Sequence, residues 1–107
     1  MASVGAKQAT AIIRSWQHAF PPSAPNIMKV MREQKLRPYL WTKQGNHRFP
    51  ATTHNYAKVI YVVEGTVEVY LTESNKLATL RVGDSITLAA GLKYALWLGP
   101  RGAICAE

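Results

Sequence analysis

Acidic residues are scarce in this chain: six Asp and Glu among 107 residues, against thirteen Lys and Arg, for a formal net charge of +7. The shortage is concentrated in the first half. Residues 1–58 hold nine basic side chains against Glu33 alone, whereas residues 59–107 hold four against five acids. A basic half raises the question of nucleic acid or anionic ligands. The basic residues are scattered singly, however, with no Lys/Arg cluster and no DNA-binding motif. A solvated basic surface is expected, and nucleic acid is not expected as a partner. Cysteine is nearly absent too. Cys105 is the single one, which excludes an intrachain disulfide and reads as a small buried residue on a late strand. No apolar run approaches the roughly 18 residues of a spanning helix. The richest stretch, Ile86 to Leu98, is broken by Gly91 and Lys93, so no membrane association is expected. Met1 to Thr10 show no basic segment followed by an apolar one. With the lone cysteine, this points to a cytoplasmic protein. Repeats and low-complexity segments are missing as well. What is present, 48% hydrophobic residues, can build the core of one small domain and leaves little room for a second. Domains of this size bury only about two-thirds of their unfolded surface, so a partner subunit would help.

The chain divides near residue 37 into a helical front, 1–36, and a stranded body, 37–107. From Lys7 to His18 there is no Gly or Pro, and Ala9, Ile12, Ile13, Trp16 and Phe20 recur at helical spacing. A first helix is expected there, stopped by Pro21-Pro22. Ser23 and Pro25 are start signals for a second, with Ile27, Val30 and Met31 on its apolar side and Arg37-Pro38 at its end. Beyond Pro38 the period becomes two. Lys58–Val63 and Thr66–Thr72 are β-branched and aromatic, and read as a hairpin turning at Glu64-Gly65. Shorter strands are expected at Leu77–Val82, Ser85–Ala89, Lys93–Leu98 and Ala103–Ala106. Turn signals between them lie at Ser74-Asn75, Gly83-Asp84, Ala90-Gly91 and Gly99-Pro100. Many short strands at this spacing indicate an all-β, closed or double-sheet antiparallel architecture. Tyr61, Val63 and Tyr70 face away from Ile60, Val62 and Val69. Both faces of the hairpin are therefore apolar, and a homodimer is expected unless the N-terminal helices cover the second face.

The order of turns becomes specific at His54, Lys58 and Tyr61-Val-Val-Glu-Gly65, followed by Gly83-Asp84, Leu88-Ala-Ala-Gly91 and Tyr94. This resembles the two motifs of the cupin superfamily. The first motif has two histidines one residue apart, a glutamate, and a glycine closing the strand. The second runs glycine, aspartate, a Pro-x-Gly turn and a third histidine. More narrowly, Arg37-Pro-Tyr-Leu-Trp-Thr42, His54-x-Tyr56-x-Lys58, Tyr61-Val-Val63 and Gly99-Pro-x-Gly102 resemble a group of small bacterial cupins. In that group a lysine commonly stands where other cupins place the metal-binding glutamate. The resemblance implies a cupin-type double-stranded β-helix, or jelly-roll barrel, preceded by one or two α-helices. It brings no assigned reaction.

Measured against the motif, Thr52 stands at the first histidine, Lys58 at the glutamate, Tyr94 at the third histidine and Ala89 at the turn proline. Of four usual ligands His54 alone remains. Transition metals want three or four converging N, O or S donors, and a lysine in the same cavity opposes a divalent ion. No metal and no cofactor are therefore expected. His47 could join His54 only by a route outside the motif. The resemblance places Thr52, His54, Lys58 and Tyr94 at the mouth of the barrel, with Tyr39 and Trp41 as possible walls. Such a mouth is cationic, hydrogen-bonding and aromatic. It suits a small carboxylate, phosphate or phenolic compound, bound by a sensor or accessory domain. Lys58 could equally pair with Glu64, Glu68 or a carbonyl and close the barrel, and Tyr94 could simply fill the volume of a histidine. The alternative is a metal-independent enzyme of isomerase or cyclase type. There His54 serves as general base with Tyr94 assisting, or Lys58 as nucleophile.

Overall fold

The computed structural model describes the backbone of residues 11–106 and the side chains of residues 11–100. Seven antiparallel strands and one helix follow in the order β1 Ala11–Arg14, α1 Ala24–Glu33, β2 Leu40–Lys43, β3 Arg48–Thr52, β4 Lys58–Leu71, β5 Lys76–Leu80, β6 Ser85–Leu88 and β7 Tyr94–Ala106. The architecture is all-β with an N-terminal helix, as the sequence implies.

The first expected helix is not formed. Of the span 7–18, residues 7–10 lie outside the described residues, and Ala11–Arg14 pair with Leu88–Ser85 of β6. Ile12 and Ile13 carry both signals, helical spacing and β-branching. The open edge of β6 decides in favour of the strand. The second helix is present. Ser23 caps it, its hydroxyl oxygen accepting from the Asn26 amide, and a proline stands in its first turn. It stops earlier than Arg37-Pro38. Gln34 is the C-cap and Lys35 adopts a φ of 69°, which turns the chain while the Leu36 amide bonds back to the Met31 carbonyl.

The expected hairpin is likewise replaced by one fourteen-residue strand, β4. Two long strands, β4 and β7, pair from Tyr61↔Ala106 to Leu71↔Tyr94 and run through both halves of the molecule. In one half β4 lies between β6 and β7, with β2 beyond β7 and β1 beyond β6; in the other it lies between β5 and β7, with β3 beyond β7. Where the halves meet, both strands carry bulges. One extra β4 residue sits between the pairs Val62↔Cys105 and Glu64↔Ile104, and between Gly65↔Ala103 and Val67↔Leu98 three extra residues sit in β7. The Gly99-Pro100 signal therefore marks a wide bulge rather than a turn between two strands. Gly65 has a φ of 80°, which a side chain rarely adopts. Gly99 is pressed so closely on the Thr66 hydroxyl that a Cβ would collide with it.

The bulge has a packing consequence. Ile60 and Val62 face the core before it, and Val67 and Val69 face the same core after it. An odd step separates the two pairs, and an unbulged strand would turn one of them out to solvent. These residues join Leu80, Ile86, Leu88, Leu96 and Leu98 in the interior. A second cluster lies on the outer face, where Ile27, Val30 and Met31 of α1 close over Tyr61, with Val59 and Val63 at its margin. The Gln34 amide hydrogen-bonds the Tyr61 hydroxyl. The helix thus covers the apolar face that the sequence left open. No helix among the described residues is long and apolar enough to cross a membrane.

Candidate functional site

A cavity of about 310 Å³ opens between the ends of β2, β3, β4 and β7. Strand register explains its walls. Thr52 is the cross-strand partner of Tyr94, and Phe49 of Leu96. These pairs set a hydroxyl layer at the mouth above an apolar layer below. Trp41 of β2 meets Phe49 edge to face, with ring centroids 5.5 Å apart, and Pro50 completes the apolar wall. Lys58, the first residue of β4, is half-buried, and Lys43, the last residue of β2, is exposed; both line the cavity, as does Tyr39.

His54 sits on the loop between β3 and β4. Its Nε2 lies 3.0 Å from the Tyr94 hydroxyl, and either partner can donate according to the imidazole tautomer. Its carbonyl accepts the Gly91 amide at 2.7 Å, so the loop after β3 and the loop before β7 are joined directly above the cavity. Tyr56 lies against the His54 ring at 5.0 Å.

The four residues expected at the mouth, Thr52, His54, Lys58 and Tyr94, line this one cavity, and the two expected walls, Tyr39 and Trp41, line it with them. Tyr94 fills volume and also bonds His54: its ring is buried in the core cluster while its hydroxyl reaches the imidazole. His47 does not join them. It packs on Phe49 at 4.5 Å and lines a neighbouring hollow with Thr42, Lys43 and Gln44. Asp84, part of the second motif, is also elsewhere; its carboxylate accepts the Arg81 amide at 2.9 Å and closes the turn before β6. Lys43, Phe49, Pro50 and Leu96 were not singled out in the sequence. Leu96 was legible there, because it lies two residues beyond Tyr94 on a strand and so shares its face. Phe49 and Pro50 were hidden because a proline argues against reading Arg48–Thr52 as a strand.

Among the described residues the lining offers one imidazole, two ammonium groups and several hydroxyls, with no carboxylate or thiolate. Among the described residues no three His, Cys, Asp or Glu side chains converge. A divalent cation wants three or four N, O or S donors, so this donor set does not suit the metal that cupin barrels commonly hold.

The profile of the EutQ-like cupin domain matches residues 32–98, well over half of the chain. The chain belongs to the EutQ-like cupin family. The cupin fold is shared with a DUF861 family protein from Thermotoga maritima, with a TM-score of 0.62 and 20% identity over 92% of this chain and 98% of that one. A cupin-2 domain containing protein from Shewanella frigidimarina superposes with a TM-score of 0.54 and 19% identity, over 65% of this chain and 67% of that one. At these identities the likeness concerns the fold of this cupin and nothing more. No curated protein matches the chain.

Proposed function

We propose that this cupin binds a small organic anion in the β2–β3–β4–β7 cavity without a metal ion, in a sensor or accessory role. The observation that carries the reading is charge: Lys43 and Lys58 line a largely apolar and aromatic chamber with no carboxylate among its described lining residues. Taking about 30 Å³ per water as a guide, 310 Å³ holds about ten non-hydrogen atoms, the size of a benzoate. The apolar wall supplies area for the body of such a ligand, and a lysine in partly dry surroundings attracts its charge more strongly than one in bulk water.

Thermal unfolding with benzoate tests this. At ten times its Kd, benzoate stabilises a chain of this size by about 1.4 kcal/mol, which raises Tm by about 6 °C. Lys58→Met removes most of that shift. Stabilisation that survives Lys58→Met puts the anion elsewhere on the basic surface, and no shift at millimolar benzoate ends the reading. The His54–Tyr94 hydrogen bond favours a second reading, in which His54 acts as a general base of an isomerase or cyclase with Tyr94 and Lys58 assisting. The two part on one measurement. Bound acids incubated in D2O exchange the proton next to the carboxylate if His54 is a working base, and keep it if the site only binds.

A further inference from the structure

The two halves of the sheet leave two flanks. β2 and β3 border the cavity described above, and β1 and β5 are the edge strands of the opposite flank. Between β1 and β5 runs a groove of about 460 Å³. Strand register explains why it stays open. Ala11 pairs with Leu88 and Ile13 with Ile86, and Leu88 and Ile86 belong to the core, so both β1 residues face the interior. On β5, Ala78 pairs with the core residue Val69 and also faces inward. Alanines at two facing edge positions are too short to close the flank, and Ile13 is left 48% exposed. Leu71 and the buried Leu92 line the groove more deeply. Lys76 lies two residues before Ala78 and shares its face. It brings an ammonium group to the lining, together with Ser74 of the adjoining turn.

We propose that this groove binds a straight-chain fatty carboxylate, with the alkyl chain between β1 and β5 and the carboxylate at Lys76 and Ser74. An alkyl chain ending in an anion matches both features of the flank, an apolar trough and an inward-facing cation. A protein segment matches the first alone. At about 30 Å³ per non-hydrogen atom, 460 Å³ holds about fifteen, enough for dodecanoate. The groove and the β2–β3–β4–β7 cavity have no described lining residue in common, so this inference stands apart from the anion reading above.

Calorimetric titration of the full chain with octanoate, decanoate, dodecanoate and tetradecanoate, each below its micellar range, provides the test. A fully buried methylene contributes about fourfold in affinity, and one covered on a single side about twofold. The Kd is therefore expected to fall about twofold per methylene up to dodecanoate and to level off at tetradecanoate. Ala78→Phe fills the groove and abolishes binding. Lys76→Gln, at an exposed position, raises the Kd of dodecanoate by up to about fivefold, and keeps the test open should Ala78→Phe fail to fold. Lys58→Met leaves dodecanoate binding unchanged. A Kd that is independent of chain length, unaffected by Lys76→Gln, or lost in Lys58→Met overturns the proposal. So does the absence of binding, which leaves the groove to a second copy of the chain or to another of its own segments.

Discussion

Tyr94 shows how one side chain can serve packing and chemistry together. It is buried to 4% exposure, yet its hydroxyl reaches the imidazole of His54. Tyr94→Phe keeps the ring and removes the hydroxyl, leaving a half-buried imidazole nitrogen without that partner. A loss of about 1 kcal/mol is expected in urea denaturation, with weaker anion binding as the His54 loop loosens. An unchanged midpoint would mean that water replaces the hydroxyl at no cost. At this scale the sequence was informative. Thr52, His54, Lys58 and Tyr94 were legible because motif spacing fixes which strand ends meet. Lys43 and Pro50 were not, since their place depends on pairing of β2 and β3 with opposite halves of β7, which no local pattern announces.

The elements divide by how local their determinants are. Helix α1 was legible from Ser23, Pro25 and the spacing of Ile27, Val30 and Met31, all within its own span. Ile12 and Ile13 fit a helix and a strand alike, and the choice belongs to β6, more than seventy residues away. Glu64-Gly65 reads as a turn for the same reason that it forms a bulge: a glycine with positive φ suits either. Only the register with β7 separates the two. The helix, although the one element outside the sheet, is integral to the fold, because Met31 is fully buried between α1 and Tyr61. Met31→Ala is expected to cost 2–5 kcal/mol, about the usual range for emptying such a site. Anion affinity should not change, since Tyr61 lies on the strand face opposite Ile60 and the interior. A loss below about 1 kcal/mol in urea denaturation would show that α1 packs loosely.

On the scale of the whole molecule, the surfaces that suggested a second subunit are largely covered from within. Helix α1 takes Tyr61 and Val63. On the outer face of the other half Tyr70 stacks on Trp97 at 5.7 Å, and the Arg48 guanidinium lies 4.7 Å above the same indole. Among the apolar side chains that stay exposed, Ile12 and Ile13, each at 48%, lie on β1, a strand whose outer side has no partner among the described residues. A homodimer in solution is expected from that edge. Light scattering at high micromolar concentration should give twice the 11.9 kDa chain mass, falling to the monomer in Ile12→Lys; a wild-type monomer removes the dimer. The charge balance also takes on a location: Arg37, Lys43 and Lys58, three of the nine basic residues in the acid-poor first half, surround the cavity and the hollow beside it.

The continuous pairing of β4 with β7 also sets an order of events in time. Trp41 and Lys43 are held by bonds from β2 to residues 103–106, and Phe49 and Thr52 by bonds from β3 to residues 94–97. Nearly every wall of the cavity thus waits for a strand some forty to sixty residues further along the chain. During synthesis the first ninety residues or so can leave the ribosome with α1 formed and no chamber at all, because both β2 and β3 still lack their β7 partners. Assembly dominated by such distant pairings is slow compared with helix formation. The binding site is consequently among the last features to appear, and an anion present at that moment meets a nearly finished barrel rather than a template on which the barrel could be built.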